Sequence, residues 1–151
     1  MFFISEVFFD GQTRKQVEGR TIEAFSVFKK GIRPEWEDPE NRNGSDWSCR
    51  KTMNADSLDQ HWENMVLALV GEAIDEGNEI CGCRVVDKSS KKDSKGNSRP
   101  MYRLELWLRS KQDDVAGRIK NRLLDALSDG EHSKGSAKKN LPEFEFKTHG
   151  S

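Results

Sequence analysis

The sequence predicts an α+β fold: a curved antiparallel β-sheet with helices packed against one face. Segments in which apolar residues alternate outnumber segments with helical periodicity, and each helical segment follows a strand. The chain has 151 residues, which suits one domain with a sizeable core. Only 34% of the residues are hydrophobic, so that core must be concentrated in a few patterned segments. We therefore predict a single domain over residues 1–151.

Alternation, together with β-branched and aromatic residues, predicts six strands. They lie at residues 5–9, 24–28, 47–53, 80–87, 101–109 and 141–147. Residues 32–45 are predicted to form a loop because two prolines and a glycine interrupt them. Residues 1–23 are expected to be an irregular or divergent N-terminal segment, within which residues 5–9 form a short strand or packed arm. Residues 89–100 are rich in Ser, Lys and Gly and are expected to form a mobile insertion.

Two segments have helical periodicity. The first covers residues 56–76, where Ser57 and Gln60 have capping-box spacing and Gly77 is placed to end the helix. Trp62 lies on its apolar stripe and is assigned to packing. The second helix begins at Ser110 or Asp113 and continues through the apolar positions that follow.

No feature of the sequence indicates export or membrane insertion. The longest apolar run, Met65 to Val70, is far too short to cross a bilayer. The Met1-Phe-Phe-Ile4 start lacks the basic segment of a signal peptide. A cytoplasmic location, with or without a nuclear fraction, is therefore expected.

The three cysteines do not indicate a disulfide framework, because their number is odd and the chain carries no export signal. Cys81 and Cys83 are too closely spaced for a Cys-x-x-Cys motif, and the histidines are scattered. We expect no metal site. Strand alternation places both thiols on the core face with Val85.

Charge is unevenly distributed along a chain whose net charge is −1. No global basic field of the kind that duplex-binding proteins use is present. Between Arg84 and Arg103 there are seven basic residues against two aspartates, an excess of five positive charges, whereas residues 35–46 are acidic in balance. This pattern favours a ligand that is cationic at one end and anionic at the other.

Two tryptophans stand apart from the core pattern. Trp107 alternates with leucines, so it shares a face with Arg103 and Glu105 and should contact something there. Trp36 lies between two prolines beside Glu37. An indole with an adjacent carboxylate suits a flat cationic ligand with N–H donors. The alternatives are that Trp107 covers Lys and Arg stems on a solvated face and that Trp36 anchors its own loop. Trp47, at the start of a strand, is assigned a structural role.

The segment Gly31-Ile-x-Pro-x-Trp-Glu-Asp38 is followed by Trp47. This specific segment, with others in the same order along the chain, resembles the translation initiation factor 4E family, which binds the mRNA cap. Leu69-Val-Gly-Glu72 is similar to part of the family's long dorsal helix. Leu104-Glu-Leu-Trp107 and Ser133-Lys-Gly-Ser136 resemble a later strand and a late loop. The resemblance covers the chain from about residue 24 to the C-terminus.

The resemblance implies a cap-binding slot on the concave face of the sheet, with the helices on the convex face. Trp36 would stack on the 7-methylguanine base, Glu37 would accept hydrogen bonds from its edge, and Trp107 would touch the N7-methyl group. The phosphates would be held by basic residues, namely Lys88, Arg103 and Lys134. The task would be binding, without catalytic residues, metal or cofactor.

The implied partners are capped mRNA and either a scaffold protein of the 4G type or a 4E-binding protein. The protein partner would dock on the dorsal helix from Trp62 to Glu72, and no membrane partner is expected. The sequence departs from the family in two respects at the site. No tryptophan precedes Trp36, so the chain is expected to be shortened at its N-terminus relative to the family. Asp46 stands where the family usually has a basic residue.

Two other functions remain open from the sequence. The first is a protein-interaction or regulatory paralogue with weak or no cap binding, because the first stacking tryptophan is missing. The second is an enzyme of thiol or nucleotide chemistry at Cys81 and Cys83, which requires an exposed thiol with a low pKa.

Overall fold

The structure is a computed structural model, and it describes residues 2–8, 24–51, 55–87, 101–128 and 142–149. These residues form one six-stranded antiparallel sheet in the order β1-β2-β4-β5-β3-β6. The strands are β1 Phe2–Phe8, β2 Ala24–Lys29, β3 Ser45–Lys51, β4 Ile80–Asp87, β5 Tyr102–Leu108 and β6 Glu145–Thr148. The helices are α1 Pro39–Arg42, α2 Ala55–Val70 and α3 Asp113–Ser128. The predicted α+β class is confirmed.

The principal core lies between the sheet and the two long helices. α2 contributes Met65 and Leu69, and α3 contributes Ile119 and Leu123, all buried against the strands. On the strand side, Cys83 and Val85 of β4 contribute to this core. They are joined by the alternating leucines of β5, which are Leu104, Leu106 and Leu108. The helices therefore cover one face of the sheet, as the alternation predicted.

Trp47 and Trp62 have the structural roles assigned to them. Trp47 is buried, and its Nε1–H donates a 2.9 Å hydrogen bond to the carbonyl of Ala116 in α3. Phe146 of β6 lies against the same indole at a centroid distance of 4.9 Å. Trp62 of α2 is partly buried against the core. Trp47 thus ties β3, α3 and β6 together.

The end of α2 differs from the prediction, because the helix stops at Val70 and not near Gly77. The amide of Glu72 donates to the carbonyl of Leu69 and that of Ala73 donates to Ala68. These bonds form a Schellman motif, and Glu72 has a φ of 56° in the left-handed position that glycine usually fills. Because a non-glycine residue adopts this conformation, the left-handed position itself has no glycine signal in the sequence.

The register of the sheet brings polar residues from three strands to the face opposite the helices. In the β4–β5 ladder, Arg84 pairs with Glu105; in the β3–β5 ladder, Asp46 pairs with Trp107. β5 lies between β4 and β3 in the sheet. Because directly paired residues point to the same side, all four side chains share one face.

A β-bulge corrects the predicted position of one cysteine. The register of β4 and β5 shifts between Ile80 and Gly82, so alternation is interrupted at Cys81. Cys83 lies in the core beneath the helices, as predicted, whereas Cys81 packs on the opposite face with Trp107. The prediction for Cys81 is therefore wrong.

None of the helices described in the chain is long and apolar enough to cross a membrane.

Candidate functional site

Trp107 lies in a second apolar cluster, on the face of the sheet that the helices leave uncovered. It is only 2% exposed and packs with Phe28, Ile32 and Cys81. The Phe28 ring meets it edge-on, at a centroid distance of 5.3 Å and an interplanar angle of 83°. The expected face is correct, but the alternative of a solvated face is wrong, because the protein's own side chains cover this indole.

Gly82 makes room for the Phe28 ring. A Cβ atom on Gly82 would lie 2.3 Å from Cγ of Phe28, far inside contact distance. Gly82 pairs with Trp107 across the ladder, so the phenyl ring rests on bare backbone beside the indole. Only glycine, which has no Cβ atom, lets the Phe28 ring approach the backbone this closely.

Glu105 connects Trp107 to two arginines. Its Oε1 accepts a 3.0 Å hydrogen bond from Nε1–H of Trp107, and its Oε2 lies 2.9 Å from Nε of Arg103. Arg84 lies 4.0 Å from the same carboxylate. Glu105 is buried, so its charge needs such partners. Two guanidinium groups on one carboxylate leave a net positive charge at this end of the site.

His149 lies beneath Trp36 at the other end of the site and is only 2% exposed. Its Nδ1 is 2.9 Å from the carbonyl oxygen of Asn41, and its Nε2 is 2.8 Å from Oδ2 of Asp46. A carbonyl oxygen only accepts, so Nδ1 must carry a proton, and Nε2 faces a carboxylate. Both bonds are best satisfied when the ring is a doubly protonated imidazolium.

The pKa of His149 agrees with this assignment. Burial alone would lower it, but hydrogen bonds to Asp46 and Asn41 and the negative charges of Asp46 and Glu105 outweigh burial, so the pKa is raised above its usual value. The carboxylate of Asp46, from the neighbouring strand, therefore favours the protonated form of the buried His149 ring.

Trp36 is stacked on this imidazole. The two centroids are 5.5 Å apart and the planes differ by 16°. The same imidazole meets Trp107 at 5.1 Å and an interplanar angle of 62°. Trp36 is nevertheless 58% exposed, so this contact, which joins the loop to a buried ring, leaves much of the indole open to a ligand. One small planar ring thus contacts both indoles.

The loop that presents Trp36 is fixed on both sides of the ring by local hydrogen bonds. The carboxylate of Asp38 accepts from the amides of Arg33 and Glu40 and caps α1. The amide group of Asn41 donates to the carbonyls of Arg33 and Glu35, at 2.6 and 2.8 Å. Glu37 is exposed beside Trp36.

The structure describes four of the six predicted site residues and brings three of them to one place. Trp36 and Trp107 meet at His149, and Arg103 joins Trp107 through Glu105. Glu37 follows Trp36 in the chain. Lys88 and Lys134 lie outside the described residues.

Sequence reasoning missed two residues of this site. Alternation places Glu105 on the correct face but gives no sign that this carboxylate holds Arg103. His149 follows the last strand and carries no periodic signal.

Thiol chemistry finds no support in the described residues. Burial raises the pKa of Cys81 to about 12 and raises that of Cys83 further above its usual value. A reactive cysteine needs a lowered pKa and access. Within the described ranges no group of three or more His, Cys, Asp or Glu side chains could hold a metal ion.

Comparison with known proteins identifies the family. The family model for eukaryotic initiation factor 4E matches residues 12–150. The chain belongs to the initiation factor 4E family. Its relatives include eukaryotic translation initiation factor 4E-2 of Schizosaccharomyces pombe, 40% identical over 105 residues, or 68% of this chain and 39% of that protein. The isoform 4E factor of Arabidopsis thaliana is 38% identical over 90 residues, or 59% and 41% of the two chains.

Solved structures of the family share the fold. The structure of C. elegans eIF4E-3 with the 4E-binding protein Mextli matches at a TM-score of 0.61 and 30% identity, over 84% of this chain and 64% of that one. Ascaris suum eIF4E-3 with m7G cap matches at a TM-score of 0.63 and 27% identity, over 83% and 62%. The chain spans about two fifths of the length of the two curated relatives named above.

Proposed function

We propose that this initiation factor 4E chain binds the 7-methylguanosine cap of mRNA without catalysing a reaction. The methylated base would stack on Trp36, Glu37 would accept from its N–H edge, and Trp107 would contact the N7-methyl group. Arg103 would hold the phosphates, together with Lys88 and Lys134 from outside the described residues. The cytoplasm is the proposed location.

One observation carries this proposal: a single planar ring, the His149 imidazole, already contacts both Trp36 and Trp107. The two indoles therefore lie close enough to share one flat ring. Methylation at N7 makes guanine cationic, and indoles attract cations through their π faces. The Ascaris suum relative was solved with the m7G cap, which is the ligand that these indoles suit.

The phosphate end has matching electrostatics. Arg84 and Arg103 share the single carboxylate of Glu105, which leaves one positive charge in excess on the same face as Trp107. Guanidinium groups bind phosphate oxygens through charge-assisted hydrogen bonds. The site is therefore suited to a cationic base followed by an anionic chain.

The test compares 7-methyl-GTP with GTP by tryptophan fluorescence. We expect clear preference for 7-methyl-GTP, and Glu37→Gln should remove most of it because the base edge loses its charged acceptor. The matched control is Glu35→Gln, an exposed acid on the same loop that has no role in the proposal. Equal binding of the two nucleotides would contradict the proposal.

The second candidate is a protein-interaction or regulatory role with weak or no cap binding. Two large apolar side chains on α2, Leu67 at 61% and Val70 at 56% exposure, offer an apolar surface between Trp62 and Glu72. C. elegans eIF4E-3 was solved with a 4E-binding protein. A 4E-binding protein or a 4G-type scaffold would dock here, so Leu67→Glu should abolish capture by such a partner and leave nucleotide binding unchanged.

A further inference from the structure

We propose that His149 and Asp46 form a charge-exchange gate in the base position: a ligand must displace the His149 ring, and only a flat cation can replace its charge beside Asp46. This inference rests on the proposed function. It adds a residue pair that decides which bases can enter.

The geometry makes His149 and the base mutually exclusive. The proposed base must stack on Trp36 and touch Trp107, and the imidazole does both, at centroid distances of 5.5 and 5.1 Å. Trp107 is only 2% exposed and the imidazole covers it on the side of Trp36, so a base that reaches Trp107 from that side must take the place of the imidazole. Base binding at both indoles therefore requires the imidazole to leave.

The chemistry of the two occupants is similar. Each is a flat ring with a delocalised positive charge, and each carries N–H donors on its edge. The imidazolium gives its donors to the Asp46 carboxylate and the Asn41 carbonyl. The methylated base would give its donors to Glu37. His149 is therefore an internal substitute for the cationic base.

Asp46 makes the displacement of His149 selective for a positively charged base. Its carboxylate is buried, its Oδ2 is bonded to His149, and its Oδ1 has no hydrogen-bond partner in the described part of the chain. When His149 leaves, a buried negative charge remains, and such a charge is costly unless another cation lies close by. A methylated guanine supplies that cation, and an unmethylated guanine does not.

The attachment of His149 allows exchange. β6 is a four-residue strand at the edge of the described sheet, where it pairs with β3. Phe146 anchors it on Trp47. Beyond that anchor, His149 is held by its ring hydrogen bonds, by its contacts with the two indoles and by one backbone bond of 2.8 Å from its amide to the carbonyl of Gly44; none of the ring contacts is part of the β6 pairing. The ring can therefore swing out while the strand stays paired.

A readout that needs no nucleotide tests the resting state. The charged groups facing the imidazole are Asp46 from β3 and Glu105 from β5, the latter paired with Arg84 and Arg103; α1 contributes the uncharged Asn41 carbonyl. An imidazolium stacked on an indole quenches its fluorescence. We expect emission to rise with pH as His149 loses its proton, and this rise should be absent in His149→Ala.

The binding test compares the wild type with three variants by 7-methyl-GTP and GTP titration. If His149 fills the position for about 90% of the time, His149→Ala should tighten 7-methyl-GTP binding about tenfold. Asp46→Asn removes the buried charge, so it should lower the preference for 7-methyl-GTP over GTP by about tenfold. The control is Thr148→Ala, an exposed neighbour on β6, which should change neither value.

Each result decides the question. If His149→Ala binds 7-methyl-GTP equally to or more weakly than the wild type, His149 supports the site and the gate is wrong, although cap binding stands. An unchanged preference in Asp46→Asn also overturns the gate. Should no folded variant bind 7-methyl-GTP, the proposed function fails and the gate fails with it. Urea unfolding of each variant establishes that it is folded.

Discussion

The indole N–H of Trp107 donates a 3.0 Å hydrogen bond to the carboxylate of Glu105, two positions earlier on the same face of β5. That carboxylate also holds Arg103 at 2.9 Å and Arg84 at 4.0 Å. Glu105 therefore orients Trp107, the proposed contact of the N7-methyl group. The same carboxylate also pairs with Arg103, the proposed phosphate ligand. Base and phosphate ends of the site share one acid.

Replacing Glu105 by glutamine should have opposite effects on stability and on binding. The amide oxygen of the new side chain can still accept from Trp107, but Arg84 and Arg103 lose their shared negative charge. Because Glu105 is buried, we expect the free energy of unfolding to fall by about 1–3 kcal/mol in urea titrations. Freed guanidinium groups should bind the triphosphate of 7-methyl-GTP more tightly, with a steeper dependence on salt.

Glu145→Gln is the control for this variant. It removes an exposed glutamate from β6, and it should change the unfolding free energy by no more than about 0.5 kcal/mol. A Glu105→Gln protein as stable as the wild type would mean that the arginines gain nothing from the shared acid.

Stability should depend on pH through His149. Its pKa is raised in the folded chain, so the folded state binds the proton more tightly than the unfolded state, whose pKa is about 6.5. The contribution of His149 is complete below that value and is lost as pH rises through the folded pKa. Urea midpoints measured from about pH 6 to pH 9 should fall faster for the wild type than for His149→Gln.

His149→Gln is the suitable reference because glutamine keeps an N–H donor for Asp46 and does not titrate. All other groups are shared, so the difference between the two pH profiles isolates His149. Parallel profiles would show that the ring carries no additional proton in the folded chain.

The fold could be predicted because the strand signals are local. Alternation in residues 101–109 separates Leu104 and Leu106 from Arg103 and Glu105, and the structure keeps that separation. The end of α2 could not be predicted in the same way. Glu72 adopts a left-handed conformation that favours glycine, so the sequence signal at Gly77 points to a later end than the helix has.

The site could be predicted only as far as one strand or one loop extends. Trp36, Glu37 and Trp107 are candidates that their immediate neighbours in the sequence indicate. His149 joins the two indoles through contacts with Asn41 and Asp46, which precede it by 108 and 103 residues. Those contacts depend on how β6 pairs with β3, and nothing near His149 in the sequence specifies that pairing. The sequence draws attention to Asp46 because the family usually has a basic residue at this position. Nothing in the sequence indicates that His149 is its partner.

The thiols should react slowly in the folded chain. All three cysteines are buried and none forms a disulfide. With a pKa of about 12, Cys81 is a thiolate in roughly one molecule in ten thousand at pH 8. Iodoacetamide should modify the native protein far more slowly than the protein in urea, followed by mass spectrometry. Rapid single-site labelling at Cys81 in the native state would reopen thiol chemistry at this face.

Two glycine-to-alanine substitutions should shift stability in opposite directions. At Gly82 the new Cβ would lie 2.3 Å from Cγ of Phe28, a fully buried ring that also meets Trp107 edge-on. Overpacking of this kind costs about 1–3 kcal/mol. Gly117 lies within α3, where a Cβ would meet nothing within 4 Å beyond its chain neighbours and its own helix backbone. Gly117→Ala should therefore gain about 0.8–1.0 kcal/mol from helix propensity.

Urea unfolding of both variants measures these shifts, and a 7-methyl-GTP titration connects Gly82 to the site. Because the phenyl ring meets Trp107 edge-on, its displacement should shift Trp107, so Gly82→Ala should also weaken 7-methyl-GTP binding, whereas Gly117→Ala should leave it unchanged. If Gly82→Ala keeps both its stability and its binding, Phe28 does not hold Trp107 in place. The indole would then be positioned by its other contacts, among them Glu105, His149 and Cys81.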